Sequence, residues 1–209
     1  MKQLCTWLAL ACAVCTASAQ TQQQPSTLRP SVRLVFAGDT TLDSDPGEWI
    51  AKGNDPFHSF APLFAQADVR LLNLECVVAT TGAALPKNYT FRAHPRVLQT
   101  LKRHVDGVTL ANNHSGDYGR TAFAEMLRLL QNHSLAQACG GMDLGEAHTP
   151  WIVERHGLRI AILSYSEFMP RSYEADSHAP GVAWPVPARR QGAAGPGGKS
   201  PARGRRQAG

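Results

Sequence analysis

The chain has 209 residues, 43% of them hydrophobic and 18% charged, the balance of a globular protein. That excludes a collagen-like, wholly disordered or coiled-coil chain, and a single long apolar stretch, at the N-terminus, excludes a polytopic membrane protein. The formal net charge is +5, but Lys2 and six basic side chains in residues 185–209 (Arg189, Arg190, Lys199, Arg203, Arg205 and Arg206) account for it; without those seven the charge is −2. The body is mildly acidic, and with no reader element beside the basic tail a nucleic-acid partner is not expected.

In chain order, residues 1–19 read as a secretory signal peptide. Lys2 is the positive start, Leu4 to Cys15 the apolar stretch, and Ala17-Ser18-Ala19 the small residues before cleavage at Gln20. Export to the periplasm or outside the cell is the expectation. It leaves Cys76 and Cys139 as the only thiols, free to pair in an oxidising compartment or to stay buried and reduced. Residues 20–30 are polar and aperiodic, a linker.

Residues 31–184 alternate strand-like and helix-like runs. Strands are predicted at Val32 to Ala37, Val69 to Leu74 and Gly107 to Ala111, and helices at Phe57 to Ala67, Pro95 to His104 and Thr121 to Asn132. Phe123, Met126, Leu127 and Leu130 give the last helix one apolar face. Two β-runs, from Trp151 to Glu154 and from Leu158 to Leu163, flank His156-Gly157 and predict a hairpin. The alternation argues an α/β fold with a mainly parallel sheet. Residues 185–209, rich in Gly, Ala, Pro and Arg, cannot bury enough apolar surface to fold. They read as a basic disordered tail suited to an anionic polymer or lipid surface, or as out-of-frame sequence, since these residues are the products of GC-rich codons.

Three predicted strands end in polar clusters: Gly38-Asp39, Asn73-Leu74-Glu75, and Asn112-Asn113-His114 with Asp117. Sites in open α/β sheets form at the carboxyl ends of strands. If the three strands are parallel neighbours, Asp39, Glu75, Asn113 and His114 converge on one edge. Two carboxylates, an amide oxygen and an imidazole suit Mn, Fe, Zn or Mg. Each cluster alone is ordinary turn chemistry; their joint placement is what points to a site. His58, His94, His104, His133, His148 and His156 read as structural or solvated.

Gly38-Asp39, Asp55-Pro56-Phe57, Ala67-Asp68, Asn73-Leu74-Glu75 and the run Ala111-Asn112-Asn113-His114-Ser115-Gly116-Asp117-Tyr118-Gly119 resemble the CapA family of capsule or poly-γ-glutamate biosynthesis proteins. The resemblance spans residues 32 to about 184 and implies a calcineurin-like metallophosphoesterase fold, an αββα sandwich with two metals. It implies Asp39 and Asn113 as metal ligands, Glu75 as the carboxylate bridging the metals, and His114 as the acid–base or phosphate-contacting residue. Asp117 has the spacing to orient His114, or to cap the following helix. The family continues past the equivalent of Trp184 with further histidine motifs; this chain has no His after His178. The expectation is therefore an incomplete sandwich lacking its C-terminal half, at most four donors, a sheet with one apolar face exposed, and a chain inactive by itself.

Two functions fit this reading. One is an exported, metal-dependent hydrolase acting on a phosphoester, or on an amide of an anionic extracellular polymer. The other is a non-catalytic accessory to capsule synthesis or export, or an inert fragment.

Overall fold

The computed structural model describes residues 29–167 and 170–185. The signal peptide expected at 1–19, the first part of the linker and the tail from 186 onward lie outside the described residues.

Four parallel strands form the central sheet, in the order β1 (Leu34–Thr40), β2 (Val69–Leu74), β5 (Gly107–Thr109) and β6 (Ala136–Ala138). Between β1 and β2 the chain forms α1 (Ser44–Ala51), a 3-10 turn at His58–Phe60 and α2 (Ala61–Phe64). Between β2 and β5 come the short parallel pair β3 (Val77–Val78) and β4 (Arg92–Ala93), then α3 (Val97–His104). Between β5 and β6 lies α4 (Gly119–Asn132). Beyond the sheet come β7 (Gly140–Gly141), α5 (Leu144–Ala147), the antiparallel hairpin β8 (Trp151–Arg155) and β9 (Leu158–Ile162), and β10 (Gly181–Val182), which pairs antiparallel with β7.

Alternation along β2 divides the molecule. Leu72 and Leu74 face α3 and α4 in the main core, with Val108, Leu101, Met126 and Leu130. Val69 and Leu71 face the other way, into a second cluster with Ala138, Val153 and Ile162 that Trp151, Ile160, Val32 and Leu34 border. The β8–β9 hairpin thus lies over the sheet face that was expected to be bare. Past its reach Phe36 stays 63% exposed.

The predicted strands and the hairpin form. The helix expected from Phe57 to Ala67 shrinks to a 3-10 turn and a single α-turn. Pro62 can stand only in a first helical turn, and Phe60 and Leu63 remain over half exposed, so no buried stripe extends it. The helix α1, which the sequence reading did not find, starts where the Asp43 carboxylate accepts the Ser44 N–H at 2.7 Å. α5 is held by a reciprocal cap: Asp143 accepts the Glu146 N–H and Glu146 accepts the Met142 N–H. Cys76 and Cys139 are both buried and free, not paired, and burial pushes each thiol up to about 12, so neither is a ready nucleophile.

At Gly107 the hairpin packs directly on the sheet. A Cβ there would lie 2.8 Å from both the Ala136 carbonyl oxygen and the Trp151 ring. Gly107→Ala is expected to cost about 1–3 kcal/mol by overpacking, read as a lower urea midpoint with the slope unchanged.

Candidate active site

The site is built at the carboxyl ends of β1, β2 and β5. The β1–β2 register shifts between Phe36 and Asp39, at Ala37-Gly38, and brings Asp39 opposite Asn73 and Thr40 opposite Leu74. The Glu75 N–H then donates to the Thr40 carbonyl at 3.0 Å, so Glu75 leaves its strand beside the end of β1. Asn73 Nδ2 donates to Asp39 Oδ1 at 2.7 Å, and Asn112 Nδ2 donates to Asn73 Oδ1 at 2.9 Å. Thr109 Oγ1 also donates to Asn73 Oδ1, at 3.3 Å. A chain of side-chain amides therefore links the three strand ends.

The two carboxyls share a hydrogen bond and divide their protons unequally. The Asn73 amide and the Glu75 carboxyl hold Asp39 below its ordinary value. Burial, followed by the hydrogen bond and charge of Asp39, pushes Glu75 up to about 7. Asp39 is exposed, whereas the Glu75 side chain is only 15% exposed. Among the described residues neither acid forms an ion pair with Lys or Arg.

The turn after β5 presents His114. Asn112 fixes its backbone: the Asn112 side chain donates to the Leu74 carbonyl at 3.0 Å and accepts the His114 N–H at 3.0 Å. Ser115 Oγ bonds the Leu110 carbonyl at 2.6 Å and Asn112 Oδ1 at 3.1 Å, closing the turn. Imidazole Nδ1 lies 2.7 Å from Asp117 Oδ2, and Nε2 lies 4.0 Å from Glu75 Oε1. The Phe91 ring packs against the imidazole with centroids 4.4 Å apart.

Asp117 is fully buried. Besides His114 it accepts from Lys87 Nζ at 2.6 Å and from the Phe91 N–H at 2.8 Å. Of the two alternatives open in the sequence, orientation of His114 is the one that forms; α4 has no side-chain cap. So enclosed, Asp117 meets the His114 ring and not solvent, the contact that the orienting alternative requires. Asn113 is exposed at the rim, with its backbone carbonyl accepting from Lys87 Nζ at 2.9 Å. Asp39, Glu75 and His114 are brought together, and Asn113 stands beside them.

Asn73, Asn112, Lys87 and Phe91 were not assigned roles from the sequence. Asn73 and Asn112 lay inside motifs already singled out. Nothing local marks Lys87, which reaches Asp117 from a loop 30 residues earlier in the chain.

A family profile described as bacterial capsule synthesis protein PGA_cap matches residues 33–203. The chain belongs to that family. Its domain is metallophosphoesterase-like, and capsule synthesis is the role the family carries. The match runs past Trp184 into the basic segment. No individual curated protein matches the chain significantly.

The donors suit a divalent cation in kind: an acid pair without a Lys or Arg partner among the described residues, holding a proton that a cation would replace. Among the described residues no three His, Cys, Asp or Glu side chains are already clustered closely enough to hold an ion, so the fit depends on the acid pair together with an amide oxygen. Because the Glu75 proton competes with a cation, Mn2+ affinity is expected to rise as pH increases through about 7, with proton release on binding, both read by calorimetry in buffers of different ionisation enthalpy. Asp117→Asn removes the charge facing Lys87; breaking such a buried pair is expected to cost about 3–5 kcal/mol in urea denaturation.

Proposed function

We propose that this capsule synthesis protein is an exported, metal-dependent hydrolase that cleaves a phosphoester, or an amide of an anionic extracellular polymer such as poly-γ-glutamate. The observation that carries the reading is the Asp39–Glu75 acid pair, set at adjacent strand ends with His114 Nε2 4.0 Å from Glu75. Asp39, Glu75 and the Asn113 amide would hold the cation, one of Mn, Fe, Zn or Mg. When bound, it supplies Lewis acidity toward a phosphoryl or carbonyl oxygen and a more acidic water. His114 would take up a proton at Nε2 from the attacking water and deliver it to the leaving group, while Asp117 keeps Nδ1 engaged.

The export part of this reading rests on the signal-peptide pattern of residues 1–19, with the periplasm or the cell exterior as destination. No helix among the described residues is long and apolar enough to cross a membrane. The basic tail would retain the protein at an anionic polymer, its synthesis or export machinery, or a lipid surface by charge alone.

A second reading is a non-catalytic accessory to capsule synthesis, favoured by the lack of a preassembled three-ligand cluster among the described residues. One experiment separates the two. The Asp39→Ala/Glu75→Ala double variant, checked for folding by circular dichroism, is expected to lose Mn2+ binding at least tenfold. Hydrolysis and capsule production should fall with it. Unchanged capsule production in the folded double variant would select the accessory role.

A further inference from the structure

Lys87 has no place in the chemistry described above, yet its ammonium contacts three residues of the turn that carries the imidazole. It lies in the segment between β3 and β4, which folds back over the turn after β5. Three attachments hold that segment to the turn: the Leu85 N–H donates to the Asp117 carbonyl at 2.8 Å, the Phe91 N–H donates to Asp117 Oδ2, and Lys87 Nζ reaches Asp117 Oδ1. The ammonium also donates to the Asn113 carbonyl at 2.9 Å and stands 3.5 Å from His114 Nδ1. It therefore touches the residue just before His114, the ring itself and the carboxylate that holds the ring.

The geometry constrains where the imidazole proton sits. Asp117 Oδ1 is taken by Lys87, while Oδ2 accepts the Phe91 N–H and faces Nδ1. A carboxylate engaged by a cation and an amide has no proton to give, so the close Nδ1 contact needs a hydrogen on Nδ1. In the neutral ring Nε2 is then the acceptor, and it is the nitrogen toward Glu75. Were Lys87 replaced by an apolar chain, the buried carboxylate would have to find another proton or cation, and Nδ1 is the nearest candidate.

We propose that Lys87 is a positioning residue: by binding Asp117 and the Asn113 carbonyl together, it fixes His114 as the single ring tautomer with hydrogen on Nδ1 and a free Nε2 facing the acid pair. This rests on the proposed site, but its readout does not depend on hydrolysis. Uniformly 15N-labelled full-length protein is examined at about pH 8, above the ordinary imidazole range, by long-range 1H–15N correlation; His114→Gln assigns the ring. Wild type should show a pyrrole-type Nδ1 and a pyridine-type Nε2. Lys87→Met should lose that pattern, and Lys87→Arg, which restores a cation, should recover it at least in part.

A wild-type ring protonated on Nε2 overturns the proposal without any variant, so a failure of Lys87→Met to fold does not shelter it. An unchanged Nδ1–H pattern in folded Lys87→Met also overturns it, and a lower melting temperature with that unchanged pattern would mark a structural role only. Mn2+ titration of the same samples keeps the two ideas apart. Absence of binding by wild type removes the metal-hydrolase reading, while the ring pattern still decides the role of Lys87.

Discussion

One buried carboxylate organises the functional end of this molecule. Asp117 has no exposed surface, and an acid in that position is tolerable only if other groups replace the water it has lost. Lys87, His114 and the Phe91 N–H do so, and each comes with a structural consequence. Lys87 and Phe91 bring the segment after β3 over the turn that follows β5, and the bond to His114 sets the direction of the ring. The desolvation of a single side chain is thereby turned into the positions of three others. Next to it, Gly116 leaves room for the Tyr173 ring, which any Cβ placed there would strike. The segment before β10 is drawn to the same turn.

The acid pair follows a different logic. Asp39 and Glu75 stand where parallel strands end, close enough that both cannot carry a full charge cheaply. The amide of Asn73 settles which one is ionised by donating to Asp39. Glu75, more enclosed, keeps the proton into the neutral range. This arrangement leaves one proton to separate the two charges at the ends of neighbouring strands. The asparagines at 73 and 112 are thus more than spacers between acids: they pass one hydrogen-bonded orientation across all three strands.

Much of this was legible in the sequence because the relevant patterns are local. The run from Val69 to Leu74 has the composition of a strand buried on both faces, and the structure forms it with the same bounds. The polar clusters at strand ends are likewise contiguous, so Asp39, Glu75 and His114 were identified and do converge. What was missed depends on partners distant in the chain. The pairs β3–β4 and β7–β10 are only two residues per strand, too short for any periodicity to register. Lys87 is an unremarkable lysine until the fold places it at Asp117. The helix begun at Phe57 failed because its aromatic spacing was not matched by burial: Phe57 and Phe64 pack around His104, whereas Phe60 does not enter the core. The covering of the second sheet face was also missed, because a hairpin visible in the sequence does not reveal which surface it will lie on.

The site's connections have a kinetic consequence. Asn73 reaches Asp39 across 34 positions, Asn112 reaches Asn73 across 39, and Lys87 reaches Asp117 across 30. No fragment containing fewer than three sheet strands can assemble the amide chain, so it forms late, after the loop-closure entropy of the parallel crossovers has been met. The same dependence runs in reverse. β1 lies at the edge of the sheet, bonded only to β2 within it, and carries Asp39. A transient opening of that one strand would separate the acid pair while the core between β2, β5 and β6 stayed closed, so the pair is set to come apart before the fold does.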